Sequence, residues 1–216
     1  MMRIFDVHGA PNPLRVRIAL EEKRLSDQVE FVPVDLAAAE HKQPAFLAMN
    51  PEGTVPVLQL DDGTFLSEVS AIVTYLDYLD GKPTLTGRMP KEMGVIHMMH
   101  KRAEREILYA IGNYFHYGTP GGGPLLEAHK RPMWKGRTEW GSFERERAIV
   151  GMRYFDGVLA NSPYVAGSEF SLADITLVAG LRFAEQTQTD ISPELSSLRK
   201  WHKRMLERPS IARLAK

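Results

Sequence analysis

The sequence predicts a small mixed α/β domain of element order βαβαββα over residues 1–80, a linker over 81–90 and an all-helical domain over 91–216. Three observations carry that reading. Strand-type alternation is confined to the stretch before Glu68. Apolar stripes with 3.6-residue spacing run through the second half. Between them lies the polar segment DGKPTLTGRMP (Asp80 to Pro90), whose Pro and Gly residues mark a boundary.

RIFDV (Arg3 to Val7) reads as the first strand, and the breaker-rich turn GAPNP (Gly9 to Pro13) opens a helix that carries Val16, Ala19 and Leu20 on one face. FVPVD (Phe31 to Asp35) alternates as a strand, and Pro33, which has no N–H to donate to a neighbour, marks it as an edge. HKQPAFLAMNP (His41 to Pro51) suits a short or irregular helix. VPVLQL (Val55 to Leu60), the turn Asp61-Asp62-Gly63 and TFLS (Thr64 to Ser67) form a hairpin. A helix follows directly, with the stripe Val69, Ile72, Val73, Leu76 and Leu79.

Beyond the boundary, one long helix carries Met99, Ala103, Ile107 and Ile111, and another carries Ala148, Met152, Phe155 and Leu159. The connection between them, Tyr117 to Gly141, exceeds the usual limit of about 12–15 residues for structureless loops, so it is functional, mobile or partly helical. Its GTPGGGP has neither a strand before it nor GK[ST] after it, which makes it a hinge rather than a phosphate loop. In VAGSEFSLADITLVAGLRF, Ser171 and Asp174 have capping-box spacing, and Phe170 is placed as a hydrophobic staple. Leu172, Ile175, Leu177, Val178, Ala179 and Leu181 cover nearly every side of the helix that follows, which therefore runs through a core. A last helix carries Leu195, Leu198, Trp201 and Met205 and stops near Pro209.

Composition narrows the function. Lys+Arg and Asp+Glu each number 27, so no global field attracts nucleic acid or an anionic membrane. The alternating runs KRAERE (Lys101 to Glu106) and FERERA (Phe143 to Ala148) read as solvated helix faces. With no Cys, disulfides, CxxC redox chemistry and a cysteine nucleophile are excluded. No apolar run suits a signal peptide or a membrane span, so a cytoplasmic location is expected. His97 and His100 stand at i, i+3 with no third ligand placed near them, and no metal is expected.

The chemistry-bearing features cluster in the first domain. A cis Val55-Pro56 bond would leave the Val55 amide and carbonyl free to pair with an extended peptide. The helix start at Glu68 to Ser70 offers unpaired amides to a carboxylate, while the Glu68 side chain accepts from an ammonium group, a combination that fits an α-amino-acid end. Capping by Ser67 or Glu68 is the structural alternative.

NPEGTVPVLQLDDGTFLSEVSAIVTYLD resembles the glutathione-binding core of cytosolic glutathione transferases, and VAGSEFSLADITL resembles their later helix-capping motif. The resemblance covers essentially the whole chain. It implies a thioredoxin-like first domain that binds glutathione as co-substrate, a helical domain that holds a small electrophile, and a homodimer. It places Val55 and Pro56 at the cysteinyl unit, Glu68 at the γ-glutamyl group, and Lys42, helped by His41 and Thr54, at the glycyl carboxylate. The Ser that usually follows the Glu is Val69 here, with Ser70 or water supplying the lost hydroxyl.

The family usually activates the thiol with Tyr, Ser or Cys near the first helix, yet none occurs before Ser26. Asn12 remains, as in the Asn-using bacterial and fungal branch called nu-class or prion-like; it is either the thiol's amide donor or a helix N-cap. Arg15 and Arg17 either add positive potential or point to solvent. Tyr109, Asn113, Phe115 and His116 are placed at the second substrate, or else at interdomain packing. Glutathione transfer to an electrophile leads. Disulfide or hydroperoxide reduction by two glutathione thiols follows, and then a non-catalytic glutathione-binding module.

Overall fold

Four short strands, β1 (Met2–Asp6), β2 (Val29–Pro33), β3 (Val57–Gln59) and β4 (Phe65–Leu66), form one sheet in the order β2-β1-β3-β4. The structure is a computed structural model that describes residues 1–129 and 135–214. β1 runs parallel to β2, with Ile4 opposite Phe31, and antiparallel to β3, with Ile4 opposite Leu58; β4 pairs antiparallel with β3. β2 lies at the edge, where Pro33 costs no ladder bond.

Alternation along the strands divides the apolar side chains between two layers. Ile4 and Leu58 face α1 (Pro11–Lys23) and α3 (Val69–Tyr78), whereas Phe5 and Val57 pack with Val34 and with Phe46 of α2 (Pro44–Leu47). The expected βαβαββα order is present in full. α3 ends one residue before Leu79, which is 43% exposed and so leaves the predicted stripe. Its neighbour Asp77 turns inward. That carboxylate accepts from the backbone amides of Thr84 (3.0 Å), Leu85 (2.9 Å) and Thr86 (2.8 Å), tying the following segment to α3.

The second half is helical: α4 (Pro90–Ala103), α5 (Tyr109–Asn113), α6 (Pro124–Ala128), α7 (Thr138–Leu159), α8 (Leu172–Gln186), α9 (Ser196–Leu206) and α10 (Pro209–Ala212). Two π-helical turns, Glu104–Leu108 and Tyr114–Gly118, flank α5, so Pro90 to Gly118 forms one nearly continuous helix with two widened turns. The first of them fits against two glycines. A Cβ on Gly151 would stand 2.9 Å from the Glu106 carbonyl oxygen, and one on Gly180 2.9 Å from Ile107 Cγ2. The predicted Tyr117–Gly141 connection contains α6 and the start of α7, and its residues 130–134 lie outside the described residues.

α8 is buried along almost its whole length and packs on both α1 and α4, so one apolar core joins the two halves. Its start is capped as expected. Ser171 Oγ accepts from the Ala173 amide at 3.3 Å, while Asp174 accepts from the amides of Ser171 (3.0 Å) and Val165 (2.9 Å). Two expectations fail here. KRAERE and FERERA are not solvated faces, because each turns a carboxylate inward: Glu104 and Glu144 are both 3% exposed.

Candidate active site

Helix α1 begins at Pro11, and its N-cap residue Ala10 makes no side-chain cap. Asn12 is therefore the second helical residue and not the cap, which removes the capping alternative for it. Prolines at Pro11 and Pro13 have no N–H, so of the first three helical positions only Asn12 can donate from its backbone.

The Asn12 side chain is oriented from below. Arg15 Nη1 donates to Asn12 Oδ1 at 3.0 Å, and because a guanidinium can only donate, the amide oxygen must face it and Nδ2 remains the outward donor. Arg15 does not point to solvent: it is 1% exposed, and its Nη2 donates to Glu104 Oε1 at 2.6 Å. Burial pulls the Arg15 pKa down, and Glu104 opposes the change. Burial pushes the Glu104 carboxyl up, but the Arg15 charge, with the Lys101 ammonium, holds it below the usual carboxylate range. Arg17 is likewise engaged, donating to Asp6 at 2.7 and 2.9 Å with its guanidinium 3.9 Å above the Phe31 ring.

Across from Asn12, the Val55-Pro56 bond is cis. Val55 lies just before β3, and among the described residues neither its amide nor its carbonyl is hydrogen-bonded. At the head of α3, Glu68 holds φ 69°, ψ 118°, a left-handed φ that is costly for a non-glycine residue and typical of ligand-clamping positions. Among the described residues no side chain caps this helix, so the Ser67 or Glu68 cap is not formed and the first amides of α3 stay open. Lys42 Nζ donates to the carbonyls of Gly53 (2.6 Å) and Glu52 (3.3 Å), fixing the loop that leads to Thr54 and Val55. Burial lowers its pKa, and burial followed by the Lys42 charge lowers that of His41.

These residues line two adjoining spaces. A polar recess of about 30 Å³ is bounded by Asn12, Arg15, Thr54, Val55, Pro56, Glu68, Val69, Glu104 and Tyr109. A larger cavity of about 810 Å³ opens beside it, with Lys42, His41, Asn113, Phe115, His116 and Phe183 in its walls. Asn12, Thr54, Val55 and Tyr109 border both. Every predicted site residue except Ser70, which sits in the first turn of α3, thus meets at this pair of spaces.

Family comparisons agree with that geometry. The sequence matches the models for "Glutathione S-transferase, N-terminal domain" over residues 10–79 and "Glutathione S-transferase, C-terminal domain" over residues 145–209. It is 52% identical to glutathione S-transferase 2 of Saccharomyces cerevisiae over 213 residues, covering 99% of this chain and 89% of that one. The chain belongs to the glutathione S-transferase family. A crystal structure of Gtt2 from Saccharomyces cerevisiae superposes with TM-score 0.93 at 52% identity, covering 98% of this chain and 99% of that one. A glutathione S-transferase domain-containing protein from Marinobacter aquaeolei gives 0.91 at 48% identity, covering 97% and 99%.

In this transferase the second-domain wall is built by the helix running from Leu108 to Tyr117, by residues between Pro120 and His129, and by Phe183 and Gln186. Burial, then Glu104, keeps the Tyr109 phenol above its ordinary pKa, so it is a neutral donor at physiological pH. Asn113 faces the cavity while its Nδ2 donates to buried Glu144 at 2.8 Å. The sequence reading missed the buried roles of Arg15 and Glu104. Ile18 and Ala19, three and four residues beyond Arg15, are fully buried, and that spacing was the available signal for the first of them.

Proposed function

We propose that the chain binds glutathione across the polar recess and the adjoining edge of the large cavity at Lys42, Thr54 and Val55, and uses Asn12 to hold the thiol as thiolate, the Asn-using mode within the family. The observation that carries this is the Asn12–Arg15–Glu104 chain, which leaves the Asn12 amide N–H groups as outward donors beside Val55. Residues 1–80 serve as the glutathione domain, 81–90 as the linker and 91–216 as the electrophile domain.

Val55 pairs with the cysteinyl backbone, preceding Pro56, and Glu68 takes the α-ammonium. The amides of Val69 and Ser70 take the γ-glutamyl carboxylate, and Lys42 with Thr54 takes the glycyl carboxylate. A free thiol with pKa about 8.5 is mostly protonated at neutral pH. Asn12 donors and the positive end of α1 favour the anion, and the proton leaves to solvent on binding. The thiolate sulfur then bonds to an electrophilic carbon, and the leaving group departs with its electron pair. Tyr109, Asn113 and His116 hold the electrophile in the large cavity.

The thiolate ultraviolet absorbance of bound glutathione, followed against pH and corrected for tyrosine, tests this directly because the chain has no Cys. Wild type should titrate well below pH 8.5 and Asn12→Ala nearer to it. An unshifted wild-type thiol would sink the reading. The protein works in the cytoplasm as a homodimer in this scheme. Support for the dimer comes from the exposed apolar side chains Tyr78, Leu79, Met89 and Met93 gathered where α3 gives way to α4, and light scattering that finds only monomer would remove it.

A further inference from the structure

Four glycines line the large cavity: Gly53, Gly112, Gly122 and Gly123. Two answer to backbone needs, and the third only to the present position of the Leu126 side chain. Gly53 has φ 57°, and a Cβ there would stand 2.7 Å from the His41 carbonyl oxygen; Gly123 has φ 98°; a Cβ on Gly122 would reach 2.5 Å from Leu126 Cδ1. Gly112 has no such reason. It lies inside α5 with ordinary helical backbone, where glycine is the poorest choice apart from proline. Among the described residues, a Cβ on it would meet only Phe183 Cε1, at an ordinary contact distance of 3.8 Å. An alanine would fit and would favour the helix. The space left by the absent side chain belongs to the cavity.

Position in the helix gives that space a direction. Tyr109, which also borders the polar recess, stands one turn before Gly112, and Phe115 and His116 stand one turn after it. Phe115 and Phe183 hold their ring centroids 5.3 Å apart and form an aromatic wall, with Phe183 directly beside Gly112. Asn113, the polar residue next to it, has its Nδ2 engaged by Glu144, which leaves its Oδ1 to the cavity. The carbon surface of Gly112, Phe115 and Phe183 suits an apolar group.

We propose that Gly112 sets the size limit for the second substrate: an extended apolar or aromatic substituent of the electrophile lies over Gly112 against the Phe115–Phe183 wall. This rests on the glutathione reading above. Electrophiles with short substituents do not reach Gly112 and are indifferent to it.

Binding of S-methylglutathione and S-hexylglutathione to wild type, Gly112→Ala and Gly112→Leu tests the proposal without turnover. S-methylglutathione should bind all three alike. S-hexylglutathione should lose about 10-fold or more in affinity for Gly112→Leu, the scale on which an apolar pocket discriminates small changes in bulk. Gly112→Ala should melt no lower than wild type. If Gly112→Leu does not fold, the alanine variant decides, through a fall of about 3-fold in the ratio of S-hexyl to S-methyl affinity. Unchanged S-hexyl binding in the leucine variant overturns the proposal, as does an equal loss for both ligands, and so does an unchanged ratio where alanine decides. Failure of wild type to bind either ligand is a separate result, which removes the glutathione reading itself and this proposal with it.

Discussion

Replacing Glu104 by Gln removes the counter-charge of a guanidinium that has almost no access to water. The pair is 2.6 Å apart, with side-chain exposures of 1% and 4%. Breaking a buried pair from one side costs about 3–5 kcal/mol, because the surviving charge stays desolvated. Glutamine keeps a carbonyl in reach of Arg15, and the Asn12 oxygen also remains, so the lower end, about 3 kcal/mol, is expected. In a chain of this size each kcal/mol moves Tm by roughly 2–4 °C, which puts the drop at roughly 6–12 °C in a calorimetric scan. Lys101→Ala is the control: its ammonium contacts the same carboxylate but is half exposed, so it should cost about 0.5 kcal/mol or less. A double Arg15→Met, Glu104→Met variant should recover part of the loss, since the defect is an unpaired charge and not an unfilled volume. A Glu104→Gln drop below about 2 °C would refute the reasoning, because it would mean that water or another anion already neutralises Arg15.

Three further outcomes follow from other parts of the structure. Asp77→Asn leaves one carbonyl where a carboxylate accepted three backbone amides, so it should cost about 2–3 kcal/mol and speed hydrogen exchange at Thr84 to Thr86; unchanged exchange there would count against the tie. Burial, and then the Arg15 charge, lower the His100 pKa to about 3. Below pH 6.5 the unfolded chain thus takes up a proton that the folded chain refuses, and stability falls as pH drops through that window, by up to roughly 1.4 kcal/mol per pH unit. An NMR titration placing His100 near 6.5 would overturn this. Gly180→Ala should destabilise by about 1–3 kcal/mol through the 2.9 Å approach to Ile107, whereas Gly157→Ala, with open space around it among the described residues, should stabilise by about 0.5–1 kcal/mol; urea unfolding distinguishes the two signs.

Much of the fold was legible because its signals are local. The hairpin turn at Asp61-Asp62-Gly63, the edge-marking Pro33 and the Ser171/Asp174 box each declare themselves within a few residues, and each is found where expected. The two π-helical turns were not legible. Nothing in Glu104–Leu108 distinguishes it from an α-helical stripe, and the widened turn is accommodated by Gly151 and Gly180, which belong to other helices. Leu79 kept the helical period yet lies outside the core, because the chain leaves α3 one residue earlier to follow Asp77.

The site divides in the same way. Residues proposed to bind through backbone or helix-end geometry, Val55, Glu68 and Val69, carry their own local pattern, and they line one recess. Charged residues were misread wherever their partner is remote in sequence: Arg15 and Glu104 are 89 positions apart, so no window around either contains the reason it is buried. Periodicity reports that a face is buried but not what waits on the other side, and an alternating charge run is solvated only if no opposite charge lies beneath it. The consequence reaches the chemistry. Asn12 belongs to the first domain, but the orientation of its amide is set by a guanidinium that the second domain neutralises. In the proposed scheme, docking of the helical domain is therefore a condition for an aligned thiol donor as well as for an electrophile cavity. The first domain alone would leave Arg15 exposed and the Asn12 amide free to turn.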